Sequence, residues 1–100
     1  MENTKALFVV VNSGFSEEIV DLARKKGARG ATILSARGSG ITVEKILGIS
    51  VNAEKEIVLI IVDKEIADEI MDSVKESAGI ASPAHGICFT LPVDRVTKLV

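Results

Sequence analysis

At 100 residues, with a formal charge of -2, one cysteine and three aromatics that are all Phe, the chain reads as one small domain, residues 1–100. A surface without positive excess does not draw in nucleic acid or anionic membrane as a whole, and with no Tyr or Trp there is little for RNA bases to stack on. The lone Cys88 forms no intrachain disulfide and fits a reducing compartment; no apolar run is long enough to span a bilayer, and residues 1–5 carry no signal-peptide pattern, so the expectation is a cytoplasmic domain with no membrane insertion.

The first element is the run Ala-Leu-Phe-Val-Val-Val at 6–11, continuous and β-branched, which predicts a strand covered on both faces and closed by the turn Asn12-Ser13-Gly14. Ser16 is then placed as N-cap of a helix to about Lys26, with Glu17 and Glu18 in its positive first turn, Phe15 stapling onto Val20, and Ile19, Val20, Leu22 and Ala23 as the apolar stripe. Arg24-Lys25-Lys26 complements the last carbonyls, and Gly27 follows as a left-handed terminator.

Thr32, Ile33 and Leu34 read as the second strand, ended by Arg37-Gly38-Ser39-Gly40, a loop able to bring backbone N–H groups and one guanidinium to an anion. Its spacing is neither that of a Walker loop nor that of a dinucleotide fingerprint, so a plain turn stands beside the anion-binding reading. Residues 41–53 have no clean period and no Pro; they read as a long functional loop, with one helical turn over 43–47.

A second unit repeats the first. Residues 57–62 predict a strand, Asp63 caps the next helix with Ile66, Ala67, Ile70, Met71 and Val74 at helical spacing, and Ala78-Gly79 closes it. The loop 80–86 leads to a strand over 87–91, Pro92 ends it, and 93–100 are expected to add a short terminal strand. The order strand, helix, strand, loop, strand, helix, strand is the ferredoxin-like βαββαβ pattern of an α+β fold, an antiparallel sheet with both helices on one face. Two fully apolar central strands then leave one face uncovered, which points to self-association through it.

Gly27-Ala28-Arg29-Gly30-Ala31-Thr32 leading to Arg37-Gly38-Ser39-Gly40, the block 56–63, and the ending 86–96 with Pro92-Val93-Asp94-Arg95-Val96 together resemble the PII nitrogen-regulatory signalling family, in its PII-like branch with a shortened loop. The resemblance implies a homotrimer of ferredoxin-like subunits, an adenine nucleotide (ATP, ADP or AMP) held between subunits as a ligand rather than a tightly bound cofactor, and regulation of a transporter or enzyme of nitrogen or carbon metabolism through the loop 41–53. Position by position it implies nucleotide contacts from Thr32, Gly38, Gly40 and Gly86, and Arg37, His85 and Lys98 join them as the nearby cations of the nucleotide site. Three positions depart from the family pattern: Ile41 replaces an arginine, Ile87 a phosphate-binding lysine, and the terminal basic pair is reduced to Lys98 with Val100. The loop holds no tyrosine, which excludes tyrosine uridylylation.

Bland readings stand next to these. Arg37 is also an ordinary end-of-strand charge, His85 a surface-loop histidine without a task, and Asp68, Glu69, Asp72 and Glu76 the solvated face of a helix. His85 and Cys88 fall short of the four ligands of a metal site, and one histidine gives a nucleophile little to work with, so no catalytic residue and no metal ligand is assigned. An acylphosphatase shares the topology but needs an arginine where this chain has Asn12-Ser13-Gly14-Phe15. An amino-acid-binding regulatory domain of the ACT kind and a metal-binding trimer resembling CutA remain as alternatives.

Overall fold

The computed structural model describes residues 3–38, 45–46, 49–50 and 54–97. The elements follow in the order β1 (Thr4–Asn12), α1 (Ser16–Lys25), β2 (Thr32–Arg37), β3 (Lys45–Ile46), β4 (Ile49–Ser50), β5 (Glu54–Asp63), α2 (Lys64–Ser77) and β6 (Ile87–Pro92). Four strands form one antiparallel sheet in the order β2-β5-β1-β6, so the two most apolar runs are the central strands, and β3 pairs with β4 as a separate ladder. Among the described residues no helix is long and apolar enough to cross a membrane.

The alternation of the strands divides the sheet into two unlike faces. Leu7, Val9 and Val11 of β1 and Val58, Ile60 and Val62 of β5 point under the helices, where they pack with Ile19 and Ala23 of α1 and Ala67, Ile70 and Val74 of α2. Each of these is buried. The opposite rows are apolar as well. Leu34, Ile57, Val10 and Ile87 stand side by side across the four strands; the next row is Thr32, Leu59, Phe8 and Phe89, and the next Ile61, Ala6 and Leu91. No helix covers these rows, and Ile61, Ile87, Phe89 and Leu91 each leave about half of their surface exposed (48%, 50%, 45% and 50%). The expectation of cover on both faces is therefore met on one face only within a single chain.

The turns show why the local sequence folds as it does. Gly27 has φ +110°, its N–H donates to the Arg24 carbonyl at 3.0 Å, and the Ala28 N–H reaches back to the Ala23 carbonyl at 3.0 Å. That pair of bonds is the Schellman termination expected of a glycine in this place. The N-terminus of α1 differs from expectation: Phe15, not Ser16, holds the cap position, without a side-chain cap bond, and Ser16 is the first helical residue and is buried. Asp63 does stand at the cap of α2 in extended backbone, likewise with no side-chain cap bond.

Two further expectations are corrected. Of the helical turn expected over 43–47 only Lys45 and Ile46 lie among the described residues, and these are extended and pair with Ser50 and Ile49; an apolar pattern too short to show a period does not distinguish the two. Of the strand expected over 93–100, residues 93–97 form none, with Val93 donating a single bond to the Thr4 carbonyl at 3.1 Å, and 98–100 lie outside the described residues.

Candidate functional site

Chain direction decides which predicted residues meet. β1 and β2 run one way, β5 and β6 the other, so the ends of β1 and β2 and the starts of β5 and β6 share one end of the sheet. At that end Arg37 faces Glu54 across the β2–β5 ladder. The segment 38–53 thus leaves and re-enters the sheet at directly opposed residues.

Arg37 is exposed and Gly38, just after it, is half-buried. With Ser13, Ser35, Ala36, Glu54, Lys55 and Glu56, Arg37 lines a hollow of about 540 Å³ between β2, β5 and the turn after β1. The Glu56 carboxylate accepts the Gly14 N–H at 2.6 Å, which fixes that turn at the φ of +100° that Gly14 adopts. The Lys55 ammonium donates to Asn12 Oδ1 at 2.5 Å.

His85 and Gly86 lie at the same end of the sheet on the other edge. Their loop is closed by several bonds: Ser82 N–H to the Gly79 carbonyl at 2.9 Å, His85 N–H to the Ser82 carbonyl at 3.0 Å, and Gly86 N–H to the Ala78 carbonyl at 2.7 Å. His85 is exposed, has φ +50°, and its Nδ1 lies 2.9 Å from the Ile80 carbonyl. A carbonyl only accepts, so Nδ1 carries the proton and Nε2 is left to accept, or, when the ring is charged, to donate. Gly86 is a packing glycine: it is buried, its N–H is already taken by Ala78, and a Cβ would fall onto the Ala78 carbonyl oxygen and lie 3.3 Å from Val11 Cγ1.

Within one chain these groups do not converge. Three strand spacings separate Arg37 from His85, about 14 Å, and Thr32, exposed on the uncovered face, lies five residues back along β2 from Arg37, about 17 Å. The predicted residues thus fall on opposite edges, Arg37 and Gly38 at the end of β2 with Thr32 at its far end, and His85 and Gly86 just ahead of β6. Gly40 and Lys98, and Ile41 among the departures, lie outside the described residues. Ile87 begins β6 on the uncovered face and offers no charge.

A second hollow, of about 470 Å³, runs between α2 and β6 and is lined by Met71, Asp72, Lys75, Ile80, Ile87 and Cys88 among others. Burial pushes the Cys88 thiol above its ordinary value, which keeps it protonated and a poor nucleophile. Among the described residues no three His, Cys, Asp or Glu side chains are grouped to hold a metal ion.

Sequence reasoning missed Asn12, Lys55 and Glu56. Asn12 is visible there only as a turn residue, and Lys55 and Glu56 only as polar positions ahead of an apolar run; their partners lie some forty residues away and carry no local signal.

The fold has known counterparts. The solved structure of a protein described as PII-like and signalling, from Thermus thermophilus, superposes with a TM-score of 0.71 at 23% sequence identity, covering 90% of this chain and 85% of that one. No protein of curated function matches the sequence. The sequence model of the nitrogen regulatory protein P-II family matches residues 4–99, nearly the whole length, and the chain accordingly belongs to that family of signalling proteins.

Proposed function

We propose that this chain is a PII-like signalling subunit that assembles as a homotrimer, binds an adenine nucleotide in the clefts between subunits, and regulates a transporter or enzyme of nitrogen or carbon metabolism through residues 41–53. The observation that carries this reading is the separation of the two half-sites. Arg37 and Gly38 sit on one edge of the sheet and His85 and Gly86 on the other, at the same end. A neighbour that brings its β6 edge to the β2 edge of the first subunit completes a site that neither chain holds alone. The uncovered rows around Phe8, Leu59, Ile61, Phe89 and Leu91 supply the adhesive face for such an assembly, since an apolar patch of this extent on a lone chain favours association. Support for the docking role comes from the pairing of Arg37 with Glu54, which lets the intervening segment dock while β2 and β5 stay paired.

Complementation tests the shared site. Arg37→Glu and His85→Glu each introduce a negative charge into one half-site and are expected to abolish nucleotide binding in the homomeric protein. Refolding the two variants together restores wild-type clefts in about a quarter of the sites if each site spans two chains, counted by ADP titration. Restoration of none assigns the site to a single chain and removes the intersubunit reading.

A further inference from the structure

Asn12 stands between the two half-sites of one chain. It ends β1, faces Lys55 across the β1–β5 ladder, and Lys55 in turn faces Ala36, the neighbour of Arg37. On the other side the β1–β6 register, with Val10 opposite Ile87, carries Asn12 to the level of His85. Its carboxamide is used at both ends. Oδ1 accepts from Lys55 Nζ at 2.5 Å and Nδ2 donates to the Pro83 carbonyl at 2.9 Å, while the Asn12 N–H donates to the Ala84 carbonyl at 2.8 Å. With an ammonium on one end and a carbonyl on the other, the amide has one allowed orientation, because a flip sets donor against donor and acceptor against acceptor.

We propose that Asn12 is a positioning residue that couples the half-sites: the Lys55 ammonium fixes the carboxamide, and the carboxamide fixes the loop 79–86 through Pro83. The coupling gains its ligand from the function proposed above, but the link is a property of the free protein. Lys55 lines the same hollow as Arg37. A phosphate oxygen entering that hollow competes for the Lys55 ammonium with Asn12 Oδ1, and a charged acceptor makes the stronger bond. Withdrawal of Lys55 releases the orienting charge at one end of the amide, and the hold on Pro83 weakens at the other. Two residues on, His85 keeps its left-handed backbone only while its surroundings enforce it, so the loosening reaches the β6 half-site of the same subunit.

Hydrogen exchange on the nucleotide-free protein tests this, and a failure of nucleotide binding leaves the result readable. Lys55→Met keeps the aliphatic stem but removes the ammonium, and the Lys55 side chain's bond is to Asn12, not to the loop. The expected result is about fivefold faster exchange at the His85 and Gly86 amides, with Val58 and Ile60 amides unchanged. Lys55→Arg restores the slow rates. Asn12→Leu is expected to match Lys55→Met, and the double variant to exchange no faster than either, as two members of one link do. Wild-type rates at His85 and Gly86 in Lys55→Met overturn the coupling, whatever Asn12→Leu does, and leave Asn12 as a local staple of the loop.

Discussion

Phe8 and Phe89 stack on the uncovered face of the sheet with ring centroids 5.0 Å apart and planes 9° from parallel. They face each other across the β1–β6 ladder in the row that also holds Thr32 and Leu59, so the most aromatic spot of the molecule is directed away from its own core. Two rings held in register across strands present a flat, rigid surface at little entropic cost, which suits an interface.

A charge placed on that face should dissociate the proposed trimer without unfolding the chain. Leu91 lies on the uncovered face of edge strand β6 and is half exposed. Leu91→Lys is expected to lower the mass found by light scattering from that of a trimer to that of a monomer, while far-ultraviolet circular dichroism stays that of the wild type. An unchanged mass would place the interface elsewhere.

The glycines separate by mechanism. Gly14 has open space around it but φ +100°, so Gly14→Ala is expected to cost about 1 kcal/mol through backbone strain alone. Gly86→Ala forces a methyl group onto the Ala78 carbonyl and against Val11, and overpacking of this kind costs about 2–3 kcal/mol. Thermal unfolding measured under one set of conditions checks the order. A Gly86→Ala variant as stable as Gly14→Ala would mean that the loop yields easily.

Burial raises the pKa of the Cys88 thiol above that of an ordinary cysteine. A raised acid favours the folded state while it stays protonated, so its contribution is fully present below the unfolded-state pKa and is lost as pH climbs through the higher folded-state value. Alkylation of Cys88 at pH 8 is expected to run slower than that of a free thiol and to reach the free-thiol rate in denaturant. Equal rates before and after denaturation would show the thiol to be open to solvent.

The fold is legible in the sequence because its signals are local. Two β-branched runs, two amphipathic helices and Gly27 set the order of elements, and the rule that strands one and three are central in this order matches the sheet. The site is legible only in its parts. Arg37 and His85 announce themselves by type and loop position, but no spacing in the sequence says that the sheet holds them three strands apart. The bond from Lys55 to Asn12 depends on a register between segments 43 residues apart, which strand pairing sets and side-chain type does not. Lys45 and Ile46 fit a helical turn as well as a strand by pattern, because a short stretch leaves too few side chains to show whether the period is two or near four.

The last prediction concerns which nucleotide the proposed intersubunit clefts prefer. The resemblance implies cations where this chain has Ile41 and Ile87, and a charge-assisted bond to a phosphate contributes about 1.5–3 kcal/mol, or one to two decades of affinity. Ile87 is half exposed at the start of β6 and presents an apolar surface that no phosphate oxygen can use. The cations that remain near the described half-sites are Arg37 on β2 with Lys55 on the adjoining β5, and His85, when its ring is charged, at the β6 edge. The Gly86 N–H is committed to Ala78 and adds no donor. Discrimination by the outer phosphates is therefore expected to be blunted, with ATP favoured over AMP by less than about a hundredfold and ADP or AMP binding in their own right. Arg37→Gln is expected to weaken ADP about tenfold and AMP less, because the guanidinium can serve a second phosphate that AMP lacks. Calorimetry with the three nucleotides, with and without magnesium, measures both statements. An ATP preference beyond a hundredfold would show that other cations replace the two that are missing, and no binding of any of the three at millimolar concentration would remove the adenine nucleotide from the proposal and bring the amino-acid-binding alternative forward.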